Sequence, residues 1–343
     1  MSKKNKPYLP KDFIETAEEL CFAVVQQGTE YCGEQEKVLC FLRYIKETSK
    51  NSLSLWERVR GFLKNNAEQN GLWHKVTTEQ ANTYLHTPYP EYLHHSALLD
   101  AHLHAVATGR IVQHHSPRQR LQQILLCQQR DKVEQDLSDL CFLCQQNGLD
   151  LAQVGVTGSV LIGAQQNQSD IDLVFYDREA FHKARAITEN LIGKQQLGGL
   201  GDKDWQEAYA RRSCTLTLQE YVWHERRKFN KGLINGRKFD LNFVDGQDRS
   251  EAVVYQKCGE ITLQCKIIED YYGFDYPAIY IIDHETISTV VCFIATYTGQ
   301  VFVGETVEIS GLLEQAEDGS KRIVVGSSRE APGEYIKVIQ CLN

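Results

Sequence analysis

The stretch Ser169-Asp170-Ile171-Asp172-Leu173-Val174 alternates acids with aliphatic side chains. In a strand, successive side chains face opposite sides, so Asp170 and Asp172 share one face while Ile171 and Leu173 turn to the core. Two carboxylates that close repel each other and stay ionised only with solvent or cations between them. Hard divalent cations take oxygen ligands and share carboxylates with substrate phosphates. A solvated strand edge bearing two Asp residues is the plainer reading of the same pattern. Downstream, Phe239-Asp240-Leu241-Asn242-Phe243 repeats the alternation with a third acid. Placed on an adjacent strand, Asp240 would complete a two-metal site.

Working upstream, Val154-Gly-Val156 reads as a strand that turns at Thr157-Gly158-Ser159, with ten residues between Ser159 and Asp170. A glycine lets a phosphate approach the backbone closely, and the serine adds a hydroxyl donor. A helical turn starting here would offer free N–H groups to an anion. An ordinary strand-to-helix turn would read the same way.

These three pieces together resemble the polymerase-beta-like nucleotidyltransferase superfamily. They are Val156-Thr157-Gly158-Ser159, then Ser169-Asp170-Ile171-Asp172-Leu173, then Phe239-Asp240-Leu241. The resemblance covers about 90 residues. The whole chain also looks like a group of uncharacterised predicted nucleotidyltransferases, mostly archaeal. Asp12-Phe-Ile-Glu-Thr16, Phe22-Ala-Val-Val25, Phe41-Leu-Arg-Tyr44, Gly155-Val-Thr-Gly-Ser159 and Gly236-Arg-Lys-Phe239 carry that likeness. The superfamily resemblance implies a Mg²⁺-dependent enzyme, with Mn²⁺ as the substitute ion, that takes a nucleoside triphosphate (NTP). Asp170 and Asp172 would bridge the metals and Asp240 would bind the second one and accept a proton. Gly158 and Ser159 would hold the β- and γ-phosphates. Attack on the α-phosphate would release pyrophosphate.

Charge is unevenly placed along the chain. The net charge is −8, and residues 251–343 hold 6 Lys+Arg against 14 Asp+Glu, leaving the rest balanced. Within that balanced part, Arg211 to Lys238 carries 8 basic against 2 acidic residues. A basic segment in a neutral background is a candidate anion site. A helix from Gln219 to Phe229, continued to residue 231, would place His224, Arg227, Lys228 and Lys231 on one face. Arg227, Lys228 and Lys231 are therefore candidate contacts to the triphosphate or a nucleic-acid acceptor. A solvated basic helix face is the other reading.

Regions of different pattern suggest an α+β architecture in three parts. An N-terminal α+β accessory region spans 1–150, a nucleotidyltransferase-type mixed α/β sheet 151–250, and a small C-terminal β-barrel, OB-like, 251–343. In the first, Cys21-Phe-Ala-Val-Val25 and Val38 to Ile45 read as paired strands, and Leu55, Trp56, Val59, Phe62 and Leu63 fall at helical spacing. One helix is expected from Ser116-Pro117 through Cys144, closed at Gly148. Short strands separated by glycine turns support the barrel, loosely matched by the segment 299–314. Its acidity disfavours a phosphate backbone and favours a protein partner. Aromatics such as Tyr271, Tyr272, Phe274 and Tyr280 leave single-strand binding open.

Other chemistries find little support. No GxxxxGK[ST] or GxSxG motif occurs. Gly198-Gly-Leu-Gly201 reads as a loop. Six of the 11 histidines, at 94, 95, 102, 104, 114 and 115, cluster without zinc spacing, so structural or surface roles are expected. The 11 cysteines are odd in number, and Cys141-Phe-Leu-Cys144 lacks a second pair, which points to core packing. No apolar run is long enough to span a bilayer and Met1 to Lys6 lacks an apolar continuation, so a soluble, cytoplasmic protein without membrane contact is expected. The expected activity is transfer of a nucleoside monophosphate to a hydroxyl, at an RNA 3′ end first and on a protein or small alcohol second. The competing expectation is a nucleic-acid- or protein-binding module on the same fold without turnover, or a regulatory partner docked through its acidic end.

Overall fold

The alternating stretches become strands, and the computed structural model is mixed α/β. It describes residues 8–32, 35–46, 73–96, 101–212, 214–245, 253–327 and 331–340. Those residues hold six α-helices and three sheets. The helical spacing at Leu55 to Leu63 lies outside them. Two compact units emerge from the contacts, residues 1–180 with 234–248, and residues 181–233 with 249–343, so the chain passes between units three times.

In the first unit, eight strands form one sheet. They are β1 (Phe13–Thr16), β2 (Leu20–Val24), β3 (Glu30–Cys32), β4 (Gln35–Lys46), β5 (Trp73–Lys75), β6 (Leu93–Ser96), β7 (Ala101–Ala107) and β8 (Ile111–His115). The order is β6-β7-β4-β2-β1-β8, with β3 and β5 also on β4. The expected pairing of the Cys21 and Val38 runs is the β2–β4 pair. Helix α1 (Thr78–His86) opens with a capping box at Thr77 and Gln80 and buries Ala81, Tyr84 and Leu85 against this sheet's core, with Phe22, Leu42 and Val106.

The expected single helix over residues 116–144 is two helices, α2 (Pro117–Leu126) and α3 (Lys132–Gln146). The break has a local cause. Arg130 donates to the carbonyls of Ile124 and Leu125, closing α2, and the Asp131 carboxylate accepts from Glu134 N, opening α3. Cys141 and Cys144 are buried and free, and burial pushes both thiols up, as core packing requires.

A second sheet follows with β9 (Val154–Thr157), β10 (Ile171–Phe175), β11 (Lys231–Ile234) and β12 (Arg237–Phe243), in the order β11-β12-β10-β9. Strand β10 runs antiparallel to β9 and parallel to β12. Ile171, Leu173, Phe239, Leu241 and Phe243 are buried, while Asp172, Asp240 and Asn242 on the alternate positions are half-buried. Helix α4 (Arg178–Gly193) begins where Asp177 accepts from Ala180 N.

The second unit contains α5 (Asp202–Ala210), α6 (Leu218–Arg226) and a sheet of β13 (Tyr255–Tyr272), β14 (Ala278–Asp283), β15 (Thr289–Cys292), β16 (Thr306–Ala316), β17 (Lys321–Val325) and β18 (Tyr335–Gln340). Neighbours pair as β13-β14-β15-β17-β16-β18, and β13 also pairs with β16; only β15–β17 is parallel. Trp205, Leu216 and Tyr221 join Tyr280, Val290, Val307 and Ile309 in one apolar core. Tyr280 Oη, fully buried, donates toward the carbonyls of Gly273 and Tyr297 and accepts from Gln300 N. Gly299 is required beside it, because a Cβ there would overlap the Phe274 ring.

Helix α6 ends at Arg226, so the expected basic face does not form. Lys228 is 1 % exposed, and its ammonium donates to Glu225 and to the Thr296 carbonyl. Lys231 pairs with the other oxygen of Glu225 at 3.0 Å. Arg227 pairs with Glu305 and lies between the Trp223 and Phe302 rings. His224 is buried, its Nε2 accepting from Val338 N, and burial depresses it to about 4. These cations are committed to carboxylates within their own unit, which corrects the expectation that they form an open surface for phosphate.

Candidate active site

Strand register assembles the site. Asp172 on β10 is the partner of Thr157 on β9 and of Asp240 on β12. Adjacent strands lie about 4.8 Å apart, and residues in register project to the same side. Asp240, 68 positions along the chain, therefore stands beside Asp172. Asp170 directly precedes β10, two positions from Asp172, and is exposed.

Gly158 follows Thr157 and meets the same carboxylate. Its φ is +68°, and a Cβ there would lie 2.5 Å from Asp172 Oδ2. Glycine is needed both for the left-handed backbone and for the approach. Ser159, half-buried, continues into a short 3-10 turn over Gly158–Ile162 and fixes its end by accepting Ala164 N at 2.8 Å. Replacing Gly158 by Ala is expected to cost about 1–2 kcal/mol in stability from strain and contact. Any activity of this site should fall at least about tenfold, since displacement of Asp172 disturbs positioning. Urea unfolding alongside steady-state kinetics checks both; an unchanged kcat/KM would dissociate Gly158 from the acids.

Electrostatics agree with the register. The Asp172 carboxyl is raised to about 6, first by burial and then by the charges of Asp240 and Asp170, with Lys11 and Lys75 opposing. Lys11 Nζ lies 3.5 Å from Asn242 Oδ1, two residues beyond Asp240 on β12. Neither lysine carries a local signal in the sequence. Phe13, Cys21 and Tyr44 of the eight-stranded sheet pack with Leu161 and Ala164, directly behind the Gly158-Ser159 turn.

A second group holds the acid loop. Arg237 donates from Nη1 to the carbonyls of Asn167 and Ser169, at 2.6 and 2.7 Å, and from Nε to Asp136 at 2.8 Å. Asp136 is 1 % exposed. Burial alone would raise its carboxyl, but hydrogen bonds from Lys132, Asn235 and Arg237 hold it below the ordinary range. The local signal was the Asn235-Gly236 turn, which brings Asn235 and Arg237 to the same carboxylate.

The clustered histidines have structural partners. Buried His104 accepts Leu42 N on Nδ1, and burial lowers it to about 4. His114 and His115 meet Asp12 and Glu15 at 2.7 and 3.2 Å. Rings of His95 and His102 stack edge-on at 4.8 Å. Among the described residues, no group of three or more His, Cys, Asp or Glu side chains is gathered closely enough to hold a metal ion. Asp172 and Asp240 still form a pair of hard oxygen donors with surplus negative charge, which is the donor chemistry that Mg²⁺ takes. Among the described residues no helix is long and apolar enough to cross a membrane.

Comparison with known proteins gives one informative similarity. The chain is 32 % identical over 356 aligned positions to an uncharacterised protein of Methanocaldococcus jannaschii, covering 96 % of this chain and 98 % of that protein. No family model matches, and no solved structure matches.

Proposed function

Since this chain belongs to one family with the Methanocaldococcus jannaschii protein, and that relative carries no assigned activity, we propose from the site alone that it is a metal-dependent nucleotidyltransferase. The observation that carries the reading is the register of Asp172 with Asp240, with Gly158 set against the Asp172 carboxylate. In a chance pair of surface acids, neither the register nor the glycine would be needed.

Asp172 and Asp240 would hold Mg²⁺ or Mn²⁺, which would supply charge neutralisation at the phosphates and lower the pKa of the acceptor hydroxyl. Asp170, which does not gather with them in the structure, would join them only once metal and triphosphate are bound. Gly158 lets the triphosphate reach the backbone of the 3-10 turn, and Ser159 donates to it. The acceptor oxygen attacks the α-phosphorus as the bond from that phosphorus to the bridging oxygen of the β-phosphate breaks, and pyrophosphate leaves. Asp240 accepts the hydroxyl proton. Arg237, through the carbonyls of Asn167 and Ser169, holds the loop that presents Asp170. Catalysis of this kind rests on positioning and preorganised charge.

In the second unit, the strand pairing β13-β14-β15-β17-β16, with β13 again on β16, is compatible with an OB-like barrel, a class of fold that often binds single-stranded nucleic acid. An RNA 3′ end is accordingly the acceptor we favour. The acidity of residues 251–343 favours the second reading, in which this unit docks a protein and the site binds without turnover.

The acceptor is found by incubating the protein with Mg²⁺, each α-labelled NTP and total RNA. Label is expected in RNA, from one nucleotide. Label in the protein itself or in small molecules would reassign the acceptor. No label in any fraction, together with a partner retained equally by the Asp170→Ala variant, would favour the binding module.

A further inference from the structure

The cations first assigned to the triphosphate are consumed elsewhere, by Glu225, Glu305 and Thr296. A site lined by Asp172 and Asp240 would still need positive charge to receive a tetra-anionic substrate alongside a metal. Lys11 and Lys75 are placed by geometry: Lys11 Nζ lies 3.5 Å from Asn242 Oδ1, two residues beyond Asp240, and Lys75 ends β5 in register with Tyr44. Both side chains are exposed, and among the described residues neither forms an ion pair.

Lys11 is held with unusual care for an exposed lysine. Its φ is +75°, in the left-handed region that disfavours a side-chain-bearing residue. Such conformations persist only where the surroundings fix them, and they cluster at ligand clamps. Here the surroundings do. Lys11 N donates to Val24 O at 3.0 Å, and its carbonyl accepts from Thr157 Oγ1 at 2.7 Å. The next residue, Asp12, is buried, and its carboxylate accepts from Leu9 N at 3.1 Å and meets His114 Nε2 at 2.7 Å. Thr157 is itself the register partner of Asp172 and precedes Gly158. The backbone of Lys11 is thus tied directly to the turn that would hold phosphate. Its ammonium lies beside Asn242, on the same face of β12 as Asp240. Lys75 ends β5, in register with Tyr44 of β4, whose ring packs behind the 3-10 turn.

We infer that Lys11, with Lys75, is the clamp for the polyphosphate of the nucleoside triphosphate, so that the N-terminal sheet is a working wall of the active site. This rests on the nucleotidyltransferase reading. It differs from a mere neutralising role for the two lysines, in which they would offset Asp172 and Asp240 and never touch substrate.

The test uses the full chain with Mg²⁺, α,β-methylene analogues of the four NTPs, and inorganic pyrophosphate as a base-free competitor. Dissociation constants are read by calorimetry for the natural protein and for Lys11→Ala, Lys11→Arg and Lys75→Ala. Lys11→Ala is expected to weaken both the bound analogue and pyrophosphate about tenfold, as loss of one charge-assisted contact does. Lys11→Arg should recover most of it, and Lys75→Ala should lose less. Affinities within twofold of the natural protein for both alanine variants would overturn the clamp while leaving the nucleotidyltransferase reading intact. Failure of the natural protein to bind any analogue would overturn both. Should Lys11→Ala fail to fold, the charge-free Lys11→Gln against Lys75→Ala decides by the same criterion.

Discussion

Replacing Asp172 by Asn is expected to remove the nucleotidyl transfer proposed for this site while making the metal-free protein more stable. The two effects have one cause. Asp172 is pushed up to about 6 by burial and by the neighbouring charge of Asp240, and only in part relieved by Lys11 and Lys75. Its folded-state pKa is therefore above the unfolded value. The protonated form contributes stability that is fully present below about pH 4 and is lost as pH rises through 6. At pH 7 the carboxylate is a burden on the fold. The full shift would amount to about 3 kcal/mol, and partial solvent screening reduces this to about 1–2. Asn keeps the shape and removes the charge, so melting should rise by a few degrees at pH 7 and the gap should close toward pH 4. Adding Mg²⁺ should raise the melting temperature of the natural protein and leave the variant unmoved. Loss of metal-held charge at the phosphates is worth several kcal/mol, or about 10³ in rate. A variant as unstable as or less stable than the natural protein in the absence of metal would contradict the strained acid pair.

Replacing Asp136 by Ala is expected to cost about 3–5 kcal/mol, the penalty for stranding a buried partner. Arg237 would lose its only carboxylate among the described residues, while Lys132 and Asn235 would lose a partner each. The loss also reaches the chemistry, because Arg237 then holds the Asn167 and Ser169 carbonyls, and so Asp170, with less precision. Asp136 acts through other groups and is a positioning residue. A conservative Asp136→Asn should retain part of both stability and rate. The pH dependence is opposite in sign to that of Asp172. The Asp136 carboxyl lies below its ordinary value, so its contribution is present above about pH 4 and is lost as pH falls further. Urea titrations at pH 7 and at pH 3 check this: the natural protein and Asp136→Ala should differ strongly at the first and converge toward the second.

Strand-borne parts of the site were legible because a period of two is written locally. Asp170 and Asp172 declare a face, and Phe239-Asp240-Leu241 declares another. That Asp172 and Asp240 share a register depends on β10 and β12 being parallel across a long crossover, which no local pattern encodes. The two-helix break at residues 127–131 was readable, since Asp131 three residues before Glu134 is an N-cap spacing, but the apolar periodicity ran through it. The basic segment misled because its periodicity suited a helix. Glu225, three residues ahead of Lys228, was the sign of an internal pair. Lys11 left no trace in sequence, because a positive φ at a lysine is imposed by Val24 and Thr157 from distant strands. The grouping of residues 181–233 with the C-terminal strands was likewise hidden, for it rests on Trp205, Leu216 and Tyr221 entering a core made far downstream.

We propose that the acids at 170, 172 and 240 act as one transfer site with Gly158 and Ser159. The measurement that tests it most directly is pyrophosphate release from NTPs by the purified protein with Mg²⁺ and total RNA, beside the Asp170→Ala/Asp172→Ala double variant. Release by the natural protein and none above background from the double variant is the predicted result. Equal release by both, or none from either together with no binding of Mg²⁺ and NTP, would contradict it.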